Sequence, residues 1–318
     1  MARRGTRLRR RAIASITIFL AKVLGAIPLS WTRGFARGAA RVIYHVVPRV
    51  RKTGMANLKL AFGDGLTDTE RKRILKEAVE NMVIVAAEFP RIPQLKGDFL
   101  RDQVTVRGLK HLPAENGCFV IGAHLGNWEW MAPAMAGFGR KAAEVVRPLD
   151  DPLLEAYVDG TRRGDNVCTI PKDQAGREIV ERLKEGYMVG ILVDQSPTSN
   201  GVPVRFFGQP CWATIGPVVL ALRSHAPVHA VSMLRGPNGR YTIEFTPEIP
   251  MAQTGNMRED IVENVQRCQD AIEATIHERP GQWLWLHRRW KARPHLEKEW
   301  NERIARDESR VQGPGFRV

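Results

Sequence analysis

Cysteine is scarce in this sequence. The 318 residues include four, Cys118, Cys168, Cys211 and Cys268, with no C-x-x-C pair and no histidine at zinc-ligand spacing. This pattern excludes the common cysteine-based zinc motifs. A disulfide framework is also unusual for so long a chain with 43% hydrophobic residues, so we expect free, reduced thiols, no bound metal and no cofactor.

The sequence also lacks a G-x-S-x-G nucleophile elbow, an internal repeat and a low-complexity tract. The missing elbow argues against a serine hydrolase of the α/β type. Acidic residues are in deficit, since 34 Asp+Glu stand against 48 Lys+Arg and give a formal charge of +14. This charge favours anionic partners, namely nucleic acid, lipid headgroups, acidic carrier proteins or phosphorylated substrates.

The N-terminus joins basic residues to an apolar stretch. Six arginines occur within residues 3–11, and the stretch from Ala12 to Trp31 contains a single charge, Lys22. That length barely reaches the ~20 residues of a spanning helix. Basic residues also follow the stretch, so both flanks favour the cytoplasmic side. We therefore expect residues 1–50 to contain a membrane-anchoring helix that lies at the interface, with a first core helix as the alternative.

Residues 51–306 have the pattern of one α/β domain. A helix is predicted from Thr67 to Phe89, with a cap at Thr67 or Asp68 and Glu70 in its first turn. Beyond it, short apolar runs alternate with helical segments, which predicts a largely parallel sheet flanked by helices. The predicted strands cover residues 104–106, 118–123, 143–147, 167–170, 188–193, 228–234 and 241–245. The predicted helices cover 126–137, 151–164, 173–184, 215–224 and, as the last one, 256–278, with a flexible tail over 307–318.

The most informative segment is CFVIGAHLGNWEWMA, residues 118–132. It predicts a buried strand, His124 at the end of that strand, and a Gly-Asn turn into a helix that carries Glu129. Active sites of α/β sheets lie at the carboxyl ends of strands, where a histidine can act as general base and a carboxylate can orient it. We therefore expect His124 and Glu129 to be the catalytic pair, and Asn127, in the turn between them, to contact substrate.

The segment HLGNWE resembles the H-x4-D/E signature of the lipid A biosynthesis lauroyl/myristoyl acyltransferases, a branch of the lysophospholipid acyltransferase superfamily. The segments ANLKLAF, VRGLKHLP, NGVPVRFFGQP and PGQWLWLHRRWKARP, in this order, extend the resemblance over nearly the whole chain. The resemblance implies an acyltransferase fold, His124 as the base, Glu129 as its partner, and Arg147 as a contact for donor or acceptor phosphates. Arg147 follows a predicted strand, which supports the same position independently.

Further substrate-binding candidates lie near other strand ends. Asp194 ends the run MVGILVD, where the superfamily carries a glutamate motif that this chain replaces with Asp-Gln-Ser-Pro. Arg205 lies in a basic and aromatic loop, and Thr214 opens a predicted helix whose N–H groups could receive an anionic oxygen. In QWLWLHRRWKARP, Arg288 and Arg289 lie among tryptophans, as expected of headgroup binding at a membrane interface. Nucleic acid is the rival ligand, but no nucleic-acid-binding motif accompanies it.

The sequence therefore predicts an O-acyltransferase at the cytoplasmic face of the inner membrane. By resemblance, it moves a fatty acyl group from a thioester, on acyl carrier protein or coenzyme A, to a hydroxyl of a lipid A precursor. Its expected partners are acyl carrier protein, anionic membrane lipid and the lipid acceptor. A lysophospholipid, glycolipid or aminolipid acceptor stays open, as does a non-catalytic membrane- or nucleic-acid-binding protein.

Overall fold

A computed structural model describes residues 2–311, with the side chains of residues 9–302. The helices are α1 (Ala2–Ala26), α2 (Leu29–Val46), α3 (Pro48–Phe62), α4 (Asp68–Glu88), α5 (Gly97–Gln103), α6 (Trp128–Gly137), α7 (Pro152–Arg162), α8 (Ala175–Lys184), α9 (Gly216–Ser224), α10 (Met257–Glu278) and α11 (Pro294–Val311). The strands are β1 (Val104–Arg107), β2 (Cys118–Gly122), β3 (Ala142–Val146), β4 (Val167–Pro171), β5 (Met188–Leu192), β6 (Gly201–Phe206), β7 (Gln209–Thr214), β8 (Val228–Arg235) and β9 (Tyr241–Glu248).

The main sheet confirms the predicted α/β class. Its strand order is β1-β9-β8-β2-β5-β3-β4, and the five strands from β8 to β4 run parallel to one another. β9 pairs antiparallel with β8, and β1 pairs parallel with β9. All five residues of β2 are buried, and they alternate between two hydrophobic cores on opposite faces of the sheet. Helices therefore cover both faces, as a parallel sheet requires.

Local signals in the sequence account for several elements. Thr67 and Glu70 form the two reciprocal hydrogen bonds of a capping box at the start of α4, which confirms the predicted helix start. The predicted strands of the main sheet all occur, with ends that differ by one to three residues. The hairpin of β6 and β7 was not predicted, and neither were α2, α3, α5 and α11. The prediction that the helix over 256–278 is the last one is wrong, because α11 follows it.

The N-terminal apolar stretch forms two helices instead of one. α1 ends at Ala26, and α2 begins after Pro28, whose ring cannot continue a helix that precedes it. Among the helices of residues 2–311, none combines the length and the apolar character that crossing a bilayer needs. At the other end, α11 continues through Val311, so the predicted tail 307–318 begins as helix, and residues 312–318 lie outside the described residues. The four cysteines are free thiols, as expected.

Candidate active site

The carboxyl edge of the parallel strands brings His124 and Asp194 together. β2 and β5 are neighbours in the sheet and pair with Gly122 opposite Leu192. His124 and Asp194 each follow one of these paired residues by two positions, so the two chains leave the sheet side by side. The carboxyl ends of parallel strands are where α/β proteins place their binding and catalytic groups.

The Asp194 carboxylate orients the His124 imidazole. His124 Nδ1 lies 2.8 Å from Asp194 Oδ1, and the backbone N–H of His124 donates to Asp194 Oδ2 at 3.0 Å. The indole N–H of Trp283 also donates to Oδ2, at 2.8 Å, and the Asp194 residue is 2% exposed. Since an ionised carboxylate can only accept, Nδ1 carries the hydrogen and Nε2 keeps its lone pair. The side-chain nitrogen of Gln195 lies 3.3 Å from Nε2, on the exposed side of the ring.

Asp194 stabilises the charged form of the His124 imidazole, and His124 stabilises the ionised form of Asp194. Burial alone lowers the pKa of His124, but the charge and hydrogen bond of Asp194, with a smaller effect of Glu129, outweigh it and raise that pKa above its ordinary value of 6.5. Burial alone raises the pKa of Asp194, but His124 and Trp283 outweigh it and hold that pKa well below its ordinary value. Such a histidine can accept a proton and keep the resulting charge stabilised.

Glu129 does not occupy the place that the sequence suggested. We expected its carboxylate on the second ring nitrogen of His124, and Asp194 has that place instead. Glu129 lies in the first turn of α6, where its two oxygens accept from Arg162 Nε at 3.0 Å and Arg162 Nη2 at 2.8 Å. Trp128 lies between the two groups, with its indole ring edge-on to the imidazole at a centroid distance of 5.2 Å. A catalytic role for Glu129 stays a prediction, since its charge still acts on His124.

Arg162 serves two carboxylates. Besides its paired contact with Glu129, its Nε lies 3.8 Å from Glu144 Oε2, and the side chains of all three residues are 16% to 19% exposed. Burial, and then the charge of Glu129, raise the pKa of Glu144 to about 8, against a smaller opposing effect of Arg162. Glu144 is therefore mostly protonated at neutral pH, and Arg162 pairs with the ionised Glu129.

The turn after His124 is fixed by its backbone. Gly126 has a positive φ of 63°, and a Cβ there would lie 1.8 Å from the Met233 carbonyl oxygen, so only glycine fits. Asn127 was expected to bind substrate, but it is fully buried. Its Oδ1 caps α6 by accepting from the Trp130 N–H at 3.2 Å, and its Nδ2 donates to Glu88. The side chain therefore supports the turn and is closed to substrate.

The remaining predicted binding residues lie in different surroundings. Arg147 follows β3 on the carboxyl edge, is 82% exposed at its side chain and pairs loosely with Asp150 at 3.6 Å. Arg288 is exposed, whereas Arg289 is fully buried and donates to the Trp212 carbonyl and to Gln269 Oε1. Arg289 therefore cannot bind substrate, because both terminal nitrogens of its guanidinium bond within the fold.

Arg205 and Thr214 belong to the small β6–β7 hairpin and not to the main sheet. Arg205 is exposed, and its Nη1 donates to the Gly208 carbonyl at 3.0 Å. Thr214 is half-buried at the end of β7, two residues before α9 begins. The structure does not bring either residue into hydrogen-bond contact with His124.

The C-terminal tryptophans are core residues, contrary to the expectation of a membrane interface. Trp283 and Trp285 are 1% and 0% exposed, and they pack with Phe206 and Phe207. Trp283 also donates a hydrogen bond to Asp194, so it is part of the site. The sequence did not indicate this role. The sequence had one signal for this arrangement, namely that Asp194 ends a strand at the same edge as His124. Arg162 gave no such signal, because it lies at the end of an ordinary amphipathic helix.

Comparison with known proteins gives the family. Residues 3–292 match the model of the family described as bacterial lipid A biosynthesis acyltransferase. A lipid A biosynthesis acyltransferase of Haemophilus influenzae is 24% identical over 277 residues, which cover 84% of this chain and 86% of that protein. A lipid A biosynthesis palmitoleoyltransferase of Escherichia coli is 27% identical over 245 residues, covering 75% of this chain and 78% of that protein.

A phosphatidylinositol mannoside acyltransferase of Mycobacterium tuberculosis is similar as well. It is 25% identical over 219 residues, which cover 64% of this chain and 65% of that protein. The family model extends through most of the sequence and includes His124, Glu129 and Asp194. The chain therefore belongs to the bacterial lipid A biosynthesis acyltransferase family, and it is an acyltransferase that acts on lipid acceptors.

Proposed function

We propose that this enzyme transfers a fatty acyl group from an acyl thioester, carried by acyl carrier protein, to a hydroxyl of a lipid A precursor. The observation that carries the proposal is the His124–Asp194 pair, which directs an unprotonated Nε2 toward the open carboxyl edge of the sheet in a chain of this family. The names of the Haemophilus and Escherichia relatives support lipid A biosynthesis as the setting.

The reaction follows from the geometry of His124. Nε2 takes the proton of the acceptor hydroxyl as its oxygen attacks the thioester carbonyl, and Asp194 stabilises the imidazolium that forms. The tetrahedral intermediate then collapses, the C–S bond breaks, and the imidazolium returns the proton to the leaving thiolate. No covalent acyl-enzyme is needed. Glu129, whose charge also favours the imidazolium, assists from a distance through its fixed position on Arg162.

The charge of the protein supports the choice of partners. The net charge of +14 attracts an acidic carrier protein and a phosphorylated lipid, both of which are anionic. Arg147 and Arg288 are exposed cations available for acceptor phosphate. Acyl carrier protein and coenzyme A differ in that only the first offers an acidic protein surface on which this net charge can act, so we take the carrier protein as the donor. The thioester is a co-substrate, and the proposal includes no metal and no resident cofactor.

We propose that the enzyme acts at the cytoplasmic face of the inner membrane. The basic residues on both sides of the N-terminal apolar stretch favour the cytoplasmic side, and an apolar face on α1 and α2 supports membrane association. On α1, Ile13, Ile16, Leu20 and Val23 recur at helical spacing and are exposed; on α2, Trp31, Phe35, Val42 and Val46 do the same. Exposed arginines border these residues, which suits an anionic lipid surface. α1 also packs against α7, the helix that ends at Arg162.

The first experiment is an acyl-transfer assay with the purified enzyme on vesicles, labelled acyl carrier protein thioester and a panel of lipid hydroxyl acceptors. We expect wild type to label the lipid A precursor. His124→Ala should lose that labelling, while His225→Asn, a change at an exposed histidine with positive φ, should keep it. Full activity of a folded His124→Ala enzyme would overturn the mechanism, and labelling of another acceptor would overturn the choice of lipid A.

A glycolipid acceptor is the second candidate. The similarity to a mycobacterial phosphatidylinositol mannoside acyltransferase favours it, because that protein's name specifies a glycolipid acceptor. The same assay separates the two candidates, since only the acceptor differs. Preferred labelling of the phosphatidylinositol mannoside over the lipid A precursor would establish the second one.

Membrane docking has a separate test. Phe19→Ser and Phe35→Ser alter α1 and α2 at side chains that are 65% and 62% exposed, and Met257→Ser is the control, since Met257 is 54% exposed at the start of α10. We expect the first two variants to float less with anionic vesicles and the control to float like wild type. Equal flotation of all variants would exclude docking through this face.

A further inference from the structure

A buried carboxylate behind the catalytic turn has no place in the mechanism above. Glu88 is the last residue of α4 and is 0% exposed. Its Oε2 accepts from Asn127 Nδ2 at 2.8 Å and from the Tyr241 hydroxyl at 2.7 Å. Its Oε1 accepts from Arg33 Nε at 2.5 Å, and its backbone carbonyl accepts from the Trp130 indole N–H at 3.0 Å.

The three donors to the Glu88 carboxylate come from three different elements. Asn127 caps α6, Tyr241 starts β9, and Arg33 lies on α2. Isolated buried carboxylates are costly, and a carboxylate with this many donors is retained when the surrounding structure depends on it. Arg33 supplies the compensating positive charge, and its side chain is 11% exposed.

The contact with Asn127 is the one that reaches the active site. Asn127 lies three residues after His124, and its two amide atoms have separate tasks. Oδ1 caps α6, and Nδ2 is fixed by Glu88, so the Glu88 contact sets the orientation of the amide and with it the start of α6. The backbone N–H of Asn127 donates to the Met233 carbonyl at 2.9 Å, which fixes the other side of the turn.

We propose that Glu88 is a positioning residue for catalysis, which holds the turn between His124 and α6 in register through Asn127. The inference rests on the proposed function, because it assigns the effect to the His124 site. The contact between Glu88 and Asn127, and not the Glu88 cluster as a whole, governs turnover. Misplacement of a catalytic group by ~1 Å costs on the order of 100-fold in rate, so a small shift of this turn is measurable.

The experiment exchanges the two polar groups. In Glu88→Gln the charged Arg33 guanidinium takes the amide oxygen, so the amide nitrogen faces Tyr241, whose hydroxyl can accept, and Asn127 Nδ2, where it leaves a donor–donor contact. Asn127→Asp keeps the capping oxygen but places an oxygen 2.8 Å from Glu88 Oε2, where a donor stood. The double variant Glu88→Gln/Asn127→Asp restores one donor and one acceptor with the direction reversed. Tyr241→Phe is the matched control, because it removes a hydrogen bond from the same Oε2 and does not touch the turn.

Steady-state kinetics on vesicles measure the outcome. kcat is calculated per mole of folded enzyme, at a pH above the range in which protonation of His124 lowers activity. We expect each single variant to lose kcat by roughly 10- to 100-fold with KM changed less than about threefold. The double variant should recover at least about tenfold over the product of the single effects. Tyr241→Phe should keep kcat within about twofold, even where its melting temperature falls.

Three results would overturn the inference. The folded single variants could turn over like wild type, the double variant could show no recovery, or Tyr241→Phe could lose as much kcat as the exchanged pair. His124→Ala is assayed alongside to keep two failures apart. Retained activity of His124→Ala would refute the proposed function and the inference with it. Loss of activity in His124→Ala with unchanged Glu88 and Asn127 variants would refute the positioning role alone.

Discussion

Two carboxylates near the ends of neighbouring strands differ in protonation state: Asp194 is ionised, whereas Glu144 is mostly protonated at neutral pH. Asp194 follows β5, and Glu144 lies within β3, opposite Gly190 of β5. The pKa of Asp194 lies well below its ordinary value, whereas the pKa of Glu144 is raised to about 8. Burial raises the pKa of both groups, so burial cannot be the cause of the difference.

The difference lies in the donors. Asp194 receives three hydrogen bonds, two from His124 and one from Trp283, and its nearest titratable group becomes positive. Glu144 lies 3.8 Å from the guanidinium of Arg162, and the closer contacts of that guanidinium go to Glu129. The site therefore keeps an ionised carboxylate where the imidazolium forms and a mostly protonated one where a second negative charge would repel Glu129.

The largest loss of kcat is expected for Asp194→Asn, which removes the ionised carboxylate of this contrast. An amide can donate a hydrogen bond to Nδ1, which favours the tautomer with its hydrogen on Nε2 and removes the base. We expect kcat to fall on the order of 10³- to 10⁴-fold, by analogy with the aspartate of a Ser-His-Asp triad. Circular dichroism and thermal unfolding check that the variant is folded. A loss below about tenfold in folded enzyme would mean that Asp194 does not control the imidazole.

Arg162→Met probes the other carboxylate pair. The change leaves Glu129 buried without its cation, and removal of one partner of a buried pair costs about 3–5 kcal/mol. We expect that loss in the free energy of unfolding, measured by urea denaturation at pH 7. The double variant Arg162→Met/Glu129→Gln removes the uncompensated charge and should regain part of the loss. An Arg162→Met enzyme as stable as wild type would show that this cluster does not need its cation.

These pairings mark the limit of what the sequence could provide. The buried strands, α4 with its capping box and the strand-end position of His124 followed from local patterns, because each depends on residues close in the chain. The partner of His124 depends on β2 and β5 being neighbours, although 70 positions separate His124 from Asp194. Local spacing suggested Glu129, but the turn that starts α6 directs that side chain to Arg162 on α7.

The missed elements have the same explanation. Pro28 divides an apolar stretch that reads as one helix, and the β6–β7 hairpin is too short and too polar on one face to stand out. The tryptophans of the C-terminal segment suggest an interface because basic residues lie close to them in the sequence. Their burial follows from tertiary packing, with Trp283 filling the space beside Asp194.

The pH dependence of activity tests the same contrast through a smaller effect, a shift in the midpoint of the pH profile. A general base acts in its neutral form, and Asp194 raises the pKa of His124 above 6.5. Activity should therefore decline as pH falls through a midpoint above 6.5 in wild type. In Asp194→Asn the larger raising effect is gone and burial outweighs the smaller effect of Glu129, so the residual activity should have its midpoint at lower pH. Profiles of kcat/KM from pH 5 to 9 measure both, and identical midpoints would contradict the assignment.

The smallest effect on kcat is expected for Glu144→Gln. Glu144 is mostly protonated at neutral pH, so an amide of the same shape should leave kcat at pH 7 within about twofold of wild type.

The stability of the protein should instead change with pH. Between the ordinary pKa of 4.5 and the raised pKa of about 8, the folded state holds a proton that the unfolded state has released, so wild-type stability falls as pH rises through that window. Glu144→Gln has no such titration and should gain roughly 4 kcal/mol in the free energy of unfolding relative to wild type between pH 5 and pH 9. Glu181→Gln, at a half-exposed surface carboxylate of α8, is the control and should show no such trend. Parallel stability curves for Glu144→Gln and wild type would mean that Glu144 is ionised at neutral pH, and the contrast with Asp194 would then be lost.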